Sequence, residues 1–366
     1  MTRIVVKIGS SSLTSAEGGL TRSKVRFFAD EIAALQKSGH QVLLVTSGAV
    51  AAGFTTIGYA KRPKLLHEKQ ASAAVGQALL MQAYNEAFQE SGIAVAQILL
   101  TRTDFSSRQR GHNALMTIEE LLAHGIVPVI NENDTVSVAE LKFSENDTLS
   151  ALVANLVKAR QLAIITDMDG LYTGDPRKTP SAVRIPQVDQ ITQEILEYAG
   201  GAGSSVGTGG MRSKLDAARI ATRGGVPVFI GQVTEPGDLT AAVQGTGKGT
   251  YFTTSLNKLP IKKQWVGFLS VPHGSVLVDA GAEKALFAGG KSLLPAGVTG
   301  VKGDFHPGDV VEVINPEGGV IGRGVVNYES WQLKAVAGLS TEEVQKRVDV
   351  ARIEVIHRDE WITLSE

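Results

Sequence analysis

A glycine-rich run near the middle of the chain carries groups that could hold a phosphate. The run GTGGMRSK, residues 207–214, places three glycines, a threonine and a serine ahead of Lys214. Glycines let backbone N–H groups come close to an anion, and a helix that begins near Met211 would direct the positive end of its dipole toward the same place. The alternative is a glycine-rich turn that caps a helix and binds nothing.

Lys7 is a second candidate phosphate contact. It comes late in an apolar run and is followed by Gly9 and three serines. In this interpretation Gly9 admits the ligand to the backbone while the ammonium group binds phosphate. The alternative is a lysine at a sheet edge whose ammonium group reaches water.

Ser47 lies in a run of small residues, TSGAVAAG at 46–53, that follows another apolar run. Its hydroxyl and the N–H groups of the next two residues, Gly48 and Ala49, predict a nest for a carboxylate. The alternative is that Ser47 only caps a helix.

The same Glu-Asn-Asp-Thr run occurs twice, in NENDTV at 131–136 and in SENDTLSA at 144–151. Two polar clusters on either side of a short loop indicate a ligand held between them, and Asp134 and Asn146 would bind an ammonium and a carboxylate respectively. Turn chemistry is an alternative explanation for one such run. For the second run, the alternative is that Asn146 or Asp147 caps the helix that follows.

No nucleophile, base and orienting acid stand out as a hydrolase triad. Phosphoryl transfer to a carboxylate needs no base, because a carboxylate with a pKa of about 4 is already ionised at neutral pH. The difficulty is electrostatic, since a negative nucleophile must approach a triphosphate. Two lysines, the N–H groups of glycine loops and Mg²⁺ would offset this repulsion. A buried aspartate between Lys7 and Lys214 would hold both ammonium groups, and Asp147 is the candidate.

The order of apolar runs indicates the elements that would position these groups. Short β-rich runs alternate with helical patterns over residues 1 to about 245, which predicts an α/β fold with a mainly parallel sheet sandwiched by helices. The predicted strands are Ile4 to Ile8, Gln41 to Thr46, Ala94 to Leu100, Ile126 to Ile130, Leu162 to Thr166 and Pro227 to Ile230. The predicted helices are Lys24 to Lys37, Glu68 to Gln89, Arg108 to His124, Asp147 to Ala159 and Met211 to Arg223.

Ligands of such sheets bind at the carboxyl ends of the strands, and the polar clusters fall there. TDMDGLYTGDPR at 166–177 also follows a predicted strand. We interpret it as a loop that faces a nucleotide, and the alternative is a plain loop. Four strand ends are therefore expected to meet at one site.

Composition limits the class of protein. A chain of 366 residues predicts roughly two domains. The absence of cysteine excludes disulfides and thiolate metal sites, and the seven histidines show no metal-ligand spacing. A net charge of −1 gives no global attraction for nucleic acid or an anionic membrane. Because the N-terminus lacks a signal pattern and no apolar run reaches the roughly 18 residues of a membrane helix, we expect a cytoplasmic protein with no membrane partner.

Six motifs together carry a family resemblance. In this order and at these separations they resemble the amino-acid kinase family, and within it the kinases that act on L-glutamate: VVKIGSSSLT, TSGAVAAG, VPVINENDTV, SENDTLSA, TDMDGLYTGDPR and GTGGMRSK. The resemblance implies the amino-acid kinase fold and a phosphotransferase with a carboxyl group as acceptor. ATP, with Mg²⁺, would phosphorylate the side-chain carboxylate of L-glutamate to L-glutamyl 5-phosphate, the first step of proline biosynthesis.

The resemblance also assigns roles to residues. The catalytic set would be Lys7, Lys214 and Asp147. The residues that would contact glutamate are Ser47, Gly48, Ala49, Asn131, Asp134 and Asn146. The residues that would contact the nucleotide are Lys7, Gly9, Thr166, Asp167, Thr208, Gly209, Gly210, Met211, Arg212, Ser213 and Lys214. Ser213 stands where the family often has threonine, so the hydroxyl is retained, and the magnesium ligands are left unassigned.

Family members imply further partners. We expect a homo-oligomer, feedback inhibition by proline and channelling of the product to a glutamyl phosphate reductase. Our hypothesis is that proline competes at the glutamate site through the loop at 135–143. A UMP or aspartate kinase of the same superfamily is the alternative, and the paired NENDTV and SENDTL runs argue against it.

The C-terminal part resembles a PUA domain, a small β-barrel common in RNA-modifying enzymes. We expect a catalytic domain at 1–256, a linker at 257–273 and the PUA-like domain at 274–366. RNA binding is therefore the rival function. Residues 262–366 contain 11 Lys and Arg against 14 Asp and Glu, a net charge of −3, so attraction to a phosphate backbone would be weak. We favour a structural or regulatory role for this domain.

Overall fold

The chain divides into two compact units, Met1–Lys258 and Leu259–Glu366. A computed structural model describes residues 2–15, 19–101, 104–105, 108–136, 146–199, 210–254, 266–267, 270, 272–288, 290–350 and 352–364. The division between the units falls inside the segment expected to be a linker. The limits of the two domains stay a prediction.

The first unit alternates strands and helices along the chain. Its strands are β1 (Thr2–Ile8), β2 (His40–Thr46), β3 (Val95–Leu100), β4 (Val127–Glu132), β5 (Gln161–Ile165), β6 (Leu171–Tyr172), β7 (Arg184–Ile185), β8 (Gln187–Val188), β9 (Val228–Gly231) and β10 (Gly249–Phe252). Its helices are α1 (Ser10–Leu13), α2 (Arg22–Lys37), α3 (Ala49–Gly53), α4 (Leu66–Gln89), α5 (Arg108–Ala123), α6 (Asn146–Leu156), α7 (Gln193–Tyr198), α8 (Met211–Arg223) and α9 (Asp238–Gln244). Each of the six predicted strands and five predicted helices is present, with ends that shift by a few residues. Short helices such as α3 were not predicted.

Eight strands form one sheet in the order β3-β4-β2-β1-β5-β9-β10-β8. Every pairing is parallel except that between β9 and β10. Strand β1 lies in the interior of the sheet, with β2 on one side and β5 on the other. The mainly parallel sheet is therefore confirmed. Strands β2, β4 and β3 lie on one side of β1, and β5 and β9 lie on the other, so the order of the strands reverses at β1. In open α/β sheets the ligand-binding crevice lies at such a reversal.

Helices cover both faces of the sheet. One face packs against α2, α4 and α9 in a core that includes Ile4, Val6, Ile8, Phe28, Ile32, Leu80, Tyr84, Phe88 and Leu239. On the other face α6 contacts β1 and packs against α8. Side chains alternate between faces along a strand, so Lys7 lies on the side of α6 and α8 while Val6 and Ile8 lie in the α2 and α4 core.

The second unit is rich in strands, as expected. Its strands are β11 (Gly274–Val278), β12 (Val298–Gly303), β13 (Val310–Ile314), β14 (Val320–Val326) and β15 (Ile356–Thr363), and they form one sheet in the order β12-β11-β13-β14-β15. Its helices are α10 (Ala280–Phe287), α11 (Ser330–Val336) and α12 (Thr341–Arg347). These helices were not predicted, because the glycines and prolines around them indicated short strands. The core of this unit includes Val276, Phe305, Val311, Tyr328 and Leu333.

Candidate active site

Lys7 lies near the end of β1 with only 4% of its surface exposed. Strand β1 has a parallel strand on each side, β2 and β5, so this lysine is in the interior of the sheet rather than on an edge strand. The alternative of an edge lysine that reaches water is therefore wrong. Gly9 follows directly after the strand, and a Cβ on it would lie 3.5 Å from Lys7 Nζ. Glycine thus leaves space beside the ammonium group.

Asp147 joins the two predicted lysines. It lies in the first turn of α6 and is fully buried. Its Oδ1 is 2.5 Å from Lys7 Nζ, and its Oδ2 is 3.2 Å from Lys214 Nζ. Ser213 also donates its hydroxyl to Asp147 Oδ2 at 2.8 Å. One carboxylate therefore holds two cations from separate parts of the chain. The alternative of Asp147 as the cap of α6 is wrong, because the helix begins before it, at Asn146.

The charges of this cluster explain the ionisation of Asp147. Burial opposes its ionisation, but the ammonium groups of Lys7 and Lys214, with hydrogen bonds from Lys7 and Ser213, outweigh burial and lower the pKa of Asp147 to about 2. The carboxylate is thus charged at neutral pH. Two ammonium groups against one carboxylate leave a net positive charge.

Lys214 is carried by the first turns of α8. The helix begins at Met211, as predicted, and its N-cap Gly210 makes no side-chain cap. Lys214 is 7% exposed, whereas Arg212 lies outward and pairs with Asp216 of the same helix at 3.4 Å. The N-terminal end of the helix, with the positive end of its dipole, therefore lies beside the lysine that it carries. Thr208 and Gly209 lie outside the described residues.

The end of β2 turns sharply into α3. Gly48 has φ +108°, in the left-handed region that favours glycine, and is the N-cap of α3 with no side-chain cap. Ser47 is therefore not the cap of this helix. Its hydroxyl instead accepts a hydrogen bond from Asn146 Nδ2 at 3.0 Å. Ala49, the first residue of α3, is buried behind it.

Helix α3 packs directly on the backbone of α4. A Cβ on Gly76 would lie 1.8 Å from Ala49 O, and one on Gly53 would lie 2.0 Å from Ser72 O. Neither contact leaves room for a side chain. The two glycines therefore fix how closely α3, and with it the turn at Gly48, approaches α4.

Asn131 and Asn146 lie side by side, as the repeated runs suggested. Asn146 Nδ2 is 2.7 Å from Asn131 Oδ1 and 2.5 Å from Thr46 O. Asn131, at the end of β4, is 2% exposed and also binds Gln77 of α4. The ends of β2 and β4 and the start of α6 are thus joined through side-chain amides.

A cavity of about 280 Å³ opens next to these amides. It is bounded by Asp134 and its neighbours after β4, by the start of α3 and by α4. The described lining residues are Ala49, Ala73, Ala74, Gln77, Ala78, Gln97, Leu99, Glu132, Asn133, Asp134 and Thr135. Asp134 and Ala49 therefore contribute to one concave surface, as their assignment to a common ligand requires.

Thr166 and Asp167 follow β5, the strand beside β1. Thr166 donates its hydroxyl to Asp167 Oδ1 at 3.1 Å, and the Asp167 backbone carbonyl accepts a hydrogen bond from Gln232. Farther along the same run, Tyr172 donates its hydroxyl to Asp169 at 3.0 Å. The two predicted nucleotide residues thus lie at the same end of the parallel strands as Lys7, the carboxyl end.

Several residues of this site were missed by sequence reasoning. They are Thr46, Gln77, Tyr84 and Gln232. Thr46 is the first residue of the recognised TSGAVAAG run, in which only Ser47, Gly48 and Ala49 were assigned a role. The Tyr84 hydroxyl is hydrogen-bonded with Thr46 Oγ1 at 2.8 Å. Gln77 and Tyr84 lie within a long helix whose pattern indicates only a helix, so the sequence carries no signal for their polar contacts.

Two further features concern metal ions and membranes. The part of the chain that the structure describes contains no group of three or more His, Cys, Asp or Glu side chains placed to hold a metal ion. None of its helices combines the length and apolar character that a membrane span requires.

Comparison with known proteins shows the family of this chain. The amino acid kinase family model matches residues 2–232, and the PUA domain model matches residues 274–348. Glutamate 5-kinase of Geobacillus kaustophilus (strain HTA426) is 52% identical over 363 residues, which cover 99% of this chain and 97% of that protein. Glutamate 5-kinase 1 of Bacillus subtilis (strain 168) is 49% identical over 365 residues, covering 100% and 99%.

A solved UMP kinase from Ureaplasma parvum is also similar, with a TM-score of 0.48 and 13% identity, over 69% of this chain and 99% of that one. The family is shown by the sequence relatives, which match this chain over both units. The chain belongs to the amino acid kinase family, among proteins similar to the glutamate 5-kinases, and carries a C-terminal PUA domain.

Proposed function

We propose that this protein transfers the γ-phosphoryl group of ATP to the side-chain carboxylate of L-glutamate, giving L-glutamyl 5-phosphate and ADP. The observation that carries the proposal is the position of Asp147. Its carboxylate holds Lys7 and Lys214, while the residue before it, Asn146, binds Ser47 and Asn131. The groups that we propose to bind phosphate and substrate are therefore held by two adjacent residues of one helix turn. The names of the relatives support glutamate as the acceptor.

The reaction follows from the charges. An oxygen of the glutamate side-chain carboxylate attacks the γ-phosphorus, a new P–O bond forms, and the bond to the β-phosphate oxygen breaks to release ADP. No proton moves from the nucleophile, since a carboxylate is ionised at neutral pH. What the protein must supply is alignment and positive charge around the transferred group.

Lys7 and Lys214 supply that charge from two sides. Both are buried, so their attraction for phosphate oxygens is less screened than at the surface. Asp147 keeps their ammonium groups in place without cancelling them, because one carboxylate faces two cations. The start of α8 adds the partial positive charge of its N-terminus. Lys7 and Lys214 are the proposed catalytic residues, and Asp147 orients them.

The acceptor would bind on the other side of Asn146. Ser47, Asn131 and Asn146 form a connected polar surface, and Asp134 lines the neighbouring cavity. A carboxylate such as Asp134 complements an ammonium group. The Gly48 and Ala49 N–H groups would suit a carboxylate, because Gly48 is left-handed and lies at the N-terminus of α3.

Mg²⁺ would accompany ATP as the metal–nucleotide complex. Magnesium in kinases is usually held by substrate phosphates, waters and one or two carboxylates rather than by an all-protein cage. The described residues, which lack a preformed acidic cluster, fit this kind of binding. When bound, the ion neutralises charge on the β- and γ-phosphates.

The proposal extends to the partners implied by the family. It includes a homo-oligomer in the cytoplasm, product transfer to a glutamyl phosphate reductase and competition by proline. The loop assigned to proline spans 135–143, of which residues 137–143 lie outside the described part of the chain. Altering this loop should weaken proline inhibition; unchanged inhibition with glutamate affinity retained would contradict that assignment.

ATP-dependent hydroxamate formation tests the reaction. Purified protein is supplied with L-glutamate, L-aspartate or N-acetylglutamate, and phosphorylation of UMP is followed in parallel by ADP release. We expect glutamyl hydroxamate to form from L-glutamate and the lysine variant Lys7→Met to abolish it. Activity confined to aspartate, N-acetylglutamate or UMP would contradict the proposal.

A further inference from the structure

Two buried hydroxyl groups lie beneath the turn that joins β2 to α3. Thr46 is the last residue of β2, and its side chain lies on the same face of the sheet as Val42 and Leu44, in the core shared with α4. Its Oγ1 is 2.8 Å from the hydroxyl oxygen of Tyr84 on α4 and 3.2 Å from Ser47 O. Thr46 and Tyr84 are both fully buried. The Thr46 hydroxyl therefore links α4 to the backbone of the turn.

The direction of these two hydrogen bonds follows from the number of hydrogens. Each hydroxyl has one hydrogen to donate, and Ser47 C=O can only accept. Burial raises the pKa of Tyr84, so its phenol keeps that hydrogen, and Thr46 Oγ1 is its one hydrogen-bond partner among the described residues. If Tyr84 donates to Thr46, the Thr46 hydrogen is left for Ser47 C=O. The reverse direction would leave the buried Tyr84 hydrogen without a described acceptor, so Tyr84 donates to Thr46 and Thr46 donates to Ser47.

The contact with Thr46 orients the peptide group between Ser47 and Gly48. A trans peptide directs its C=O and its N–H in opposite directions. Because Ser47 C=O faces the Thr46 hydroxyl, the Gly48 N–H is directed away from the α4 core, to the side on which α6 begins and Asn146 binds Ser47 Oγ. No group in the described part of the chain accepts a hydrogen bond from this N–H. It is therefore a donor that an anionic ligand can use.

Glycine at position 48 allows this peptide to take either orientation. Reversal of the peptide changes the φ of Gly48, which is +108°, and glycine has no Cβ to oppose the change. The hydrogen bond from Ala52 N–H to Gly48 O at the start of α3 does not involve this peptide. Among the described residues, Thr46 is the one that binds Ser47 C=O. Its hydroxyl therefore decides which end of the peptide faces a ligand.

We propose that Thr46 is a positioning residue whose hydroxyl, held by Tyr84, keeps the Gly48 N–H directed at a carboxylate of the acceptor. The proposal rests on the proposed function, with L-glutamate as acceptor. With the peptide reversed, Ser47 C=O would face that carboxylate, and two groups that only accept hydrogen bonds would meet. Only molecules with the unreversed peptide bind the acceptor, so the apparent affinity falls with the fraction that is reversed.

Steady-state kinetics of the full-length protein test the proposal with Thr46→Val. Valine keeps the branched shape, but Ser47 C=O would face a methyl group, which favours the reversed peptide. We expect the glutamate KM to rise roughly tenfold, with kcat and the ATP KM within about threefold of the wild type. Thr46→Ser retains the hydroxyl and should keep the glutamate KM within about threefold of the wild type.

The matched control is Thr222→Val in α8. It also removes a buried threonine hydroxyl, which donates to Ala218 O of the same helix at 2.8 Å. Because this hydroxyl does not contact the turn at Gly48, the control should leave the glutamate KM unchanged.

A second substitution separates positioning from damage to the core. Thr46→Val leaves the Tyr84 hydroxyl without its acceptor, so the melting temperature should fall. Thr46→Val/Tyr84→Phe removes that hydroxyl and should recover most of the lost melting temperature, while the glutamate KM stays raised roughly tenfold. A KM that recovers together with the melting temperature, an unchanged KM in Thr46→Val, or no rescue by Thr46→Ser would overturn the proposal.

The wild type distinguishes this proposal from the proposed function. A wild type that does not phosphorylate glutamate would contradict the proposed function as well. An active wild type with any of the three contrary results contradicts the role of Thr46 alone.

Discussion

Lys7 Nζ lies 2.5 Å from Asp147 Oδ1, so the central strand of the sheet is tied to the first turn of α6 by a fully buried ion pair. A buried ion pair is a poor source of stability, because removing both charges from water offsets much of their attraction. Its presence beside a second buried lysine therefore favours a functional explanation. The cluster keeps two cations close together where a polyanionic substrate can offset the electrostatic penalty.

Lys214→Met should separate catalysis from folding. Methionine keeps most of the volume, and Asp147 retains Lys7 as a partner, so we expect a stability change of about 1 kcal/mol. We expect kcat to fall about 100-fold to 1,000-fold, because the transferred phosphoryl group loses a charged contact. Urea unfolding and steady-state kinetics measure the two effects.

The matched control for that variant is Arg219→Met on the same helix. Arg219 pairs with Asp216 at 3.4 Å near the surface, away from Asp147. It should leave kcat unchanged. A Lys214→Met protein that loses stability in proportion to activity would favour a structural role for the lysine. Lys214 is only 7% exposed and could contribute to packing, so this comparison is needed.

Much of the first unit could be predicted from the sequence. The apolar runs that form β1, β2, β4 and β5 are buried along most of their length, and such runs are distinctive in parallel sheets. The rule that ligands bind at strand ends is then enough to place Lys7 and Asn131 together at the carboxyl ends of the strands. Even the contact of Asp147 with two lysines follows from the need for a carboxylate that holds two ammonium groups in place.

Other features depend on contacts that no local pattern reports. Asn131 and Gln77 are 54 positions apart, and only the packing of α4 against the sheet makes their hydrogen bond possible. The short helix α3 consists of small residues and is too short to be stable alone. It is stabilised by backbone contact with α4 at Gly53 and Gly76, which the local sequence does not reveal. The hydrogen bond from Asn146 Nδ2 to Thr46 O likewise joins residues that are 100 positions apart in the sequence.

The Asp147 cluster predicts a specific dependence of stability on pH. The pKa of Asp147 is lowered from 3.8 to about 2 by Lys7 and Lys214 against the effect of burial. Because the unfolded state then binds the proton more readily, the contribution is fully present above about pH 4 and is lost as pH falls toward about 2. Its size is about 2 kcal/mol, from the shift in pKa. Between about pH 6 and pH 9, Asp147 therefore contributes no pH dependence to the free energy of unfolding.

Urea unfolding of the wild type and Asp147→Asn across that pH range measures this contribution. The difference in unfolding free energy between the two proteins should shrink as pH falls through the acid range. Asp216→Asn, which alters an exposed carboxylate on α8, is the control and should show no such convergence. A difference that stays constant down to about pH 2 would mean that Asp147 is not held ionised by its lysines.

Gly76→Ala should be damaging although alanine normally favours a helix. In an unconstrained helix interior this change stabilises by about 1 kcal/mol. Here the new Cβ would lie 1.8 Å from Ala49 O, so α3 must move away from α4. We expect a loss of about 3 kcal/mol and a raised glutamate KM, because the turn at Gly48 moves with α3. Thermal unfolding and kinetics check both, with Gln82→Ala on the same helix as control.

The second unit should not bind RNA through its charge. Residues 262–366 carry a net charge of −3, and steep salt dependence in RNA binding requires several Lys or Arg contacts to phosphates. We therefore expect filter retention of labelled single-stranded RNA by the full-length protein to be weak at about 50 mM salt and little changed at about 200 mM. Tight retention that falls with salt and disappears when residues 275–366 are deleted would contradict this expectation. Such a result would make the PUA domain a nucleic-acid module, since the first unit would then have been shown not to bind on its own.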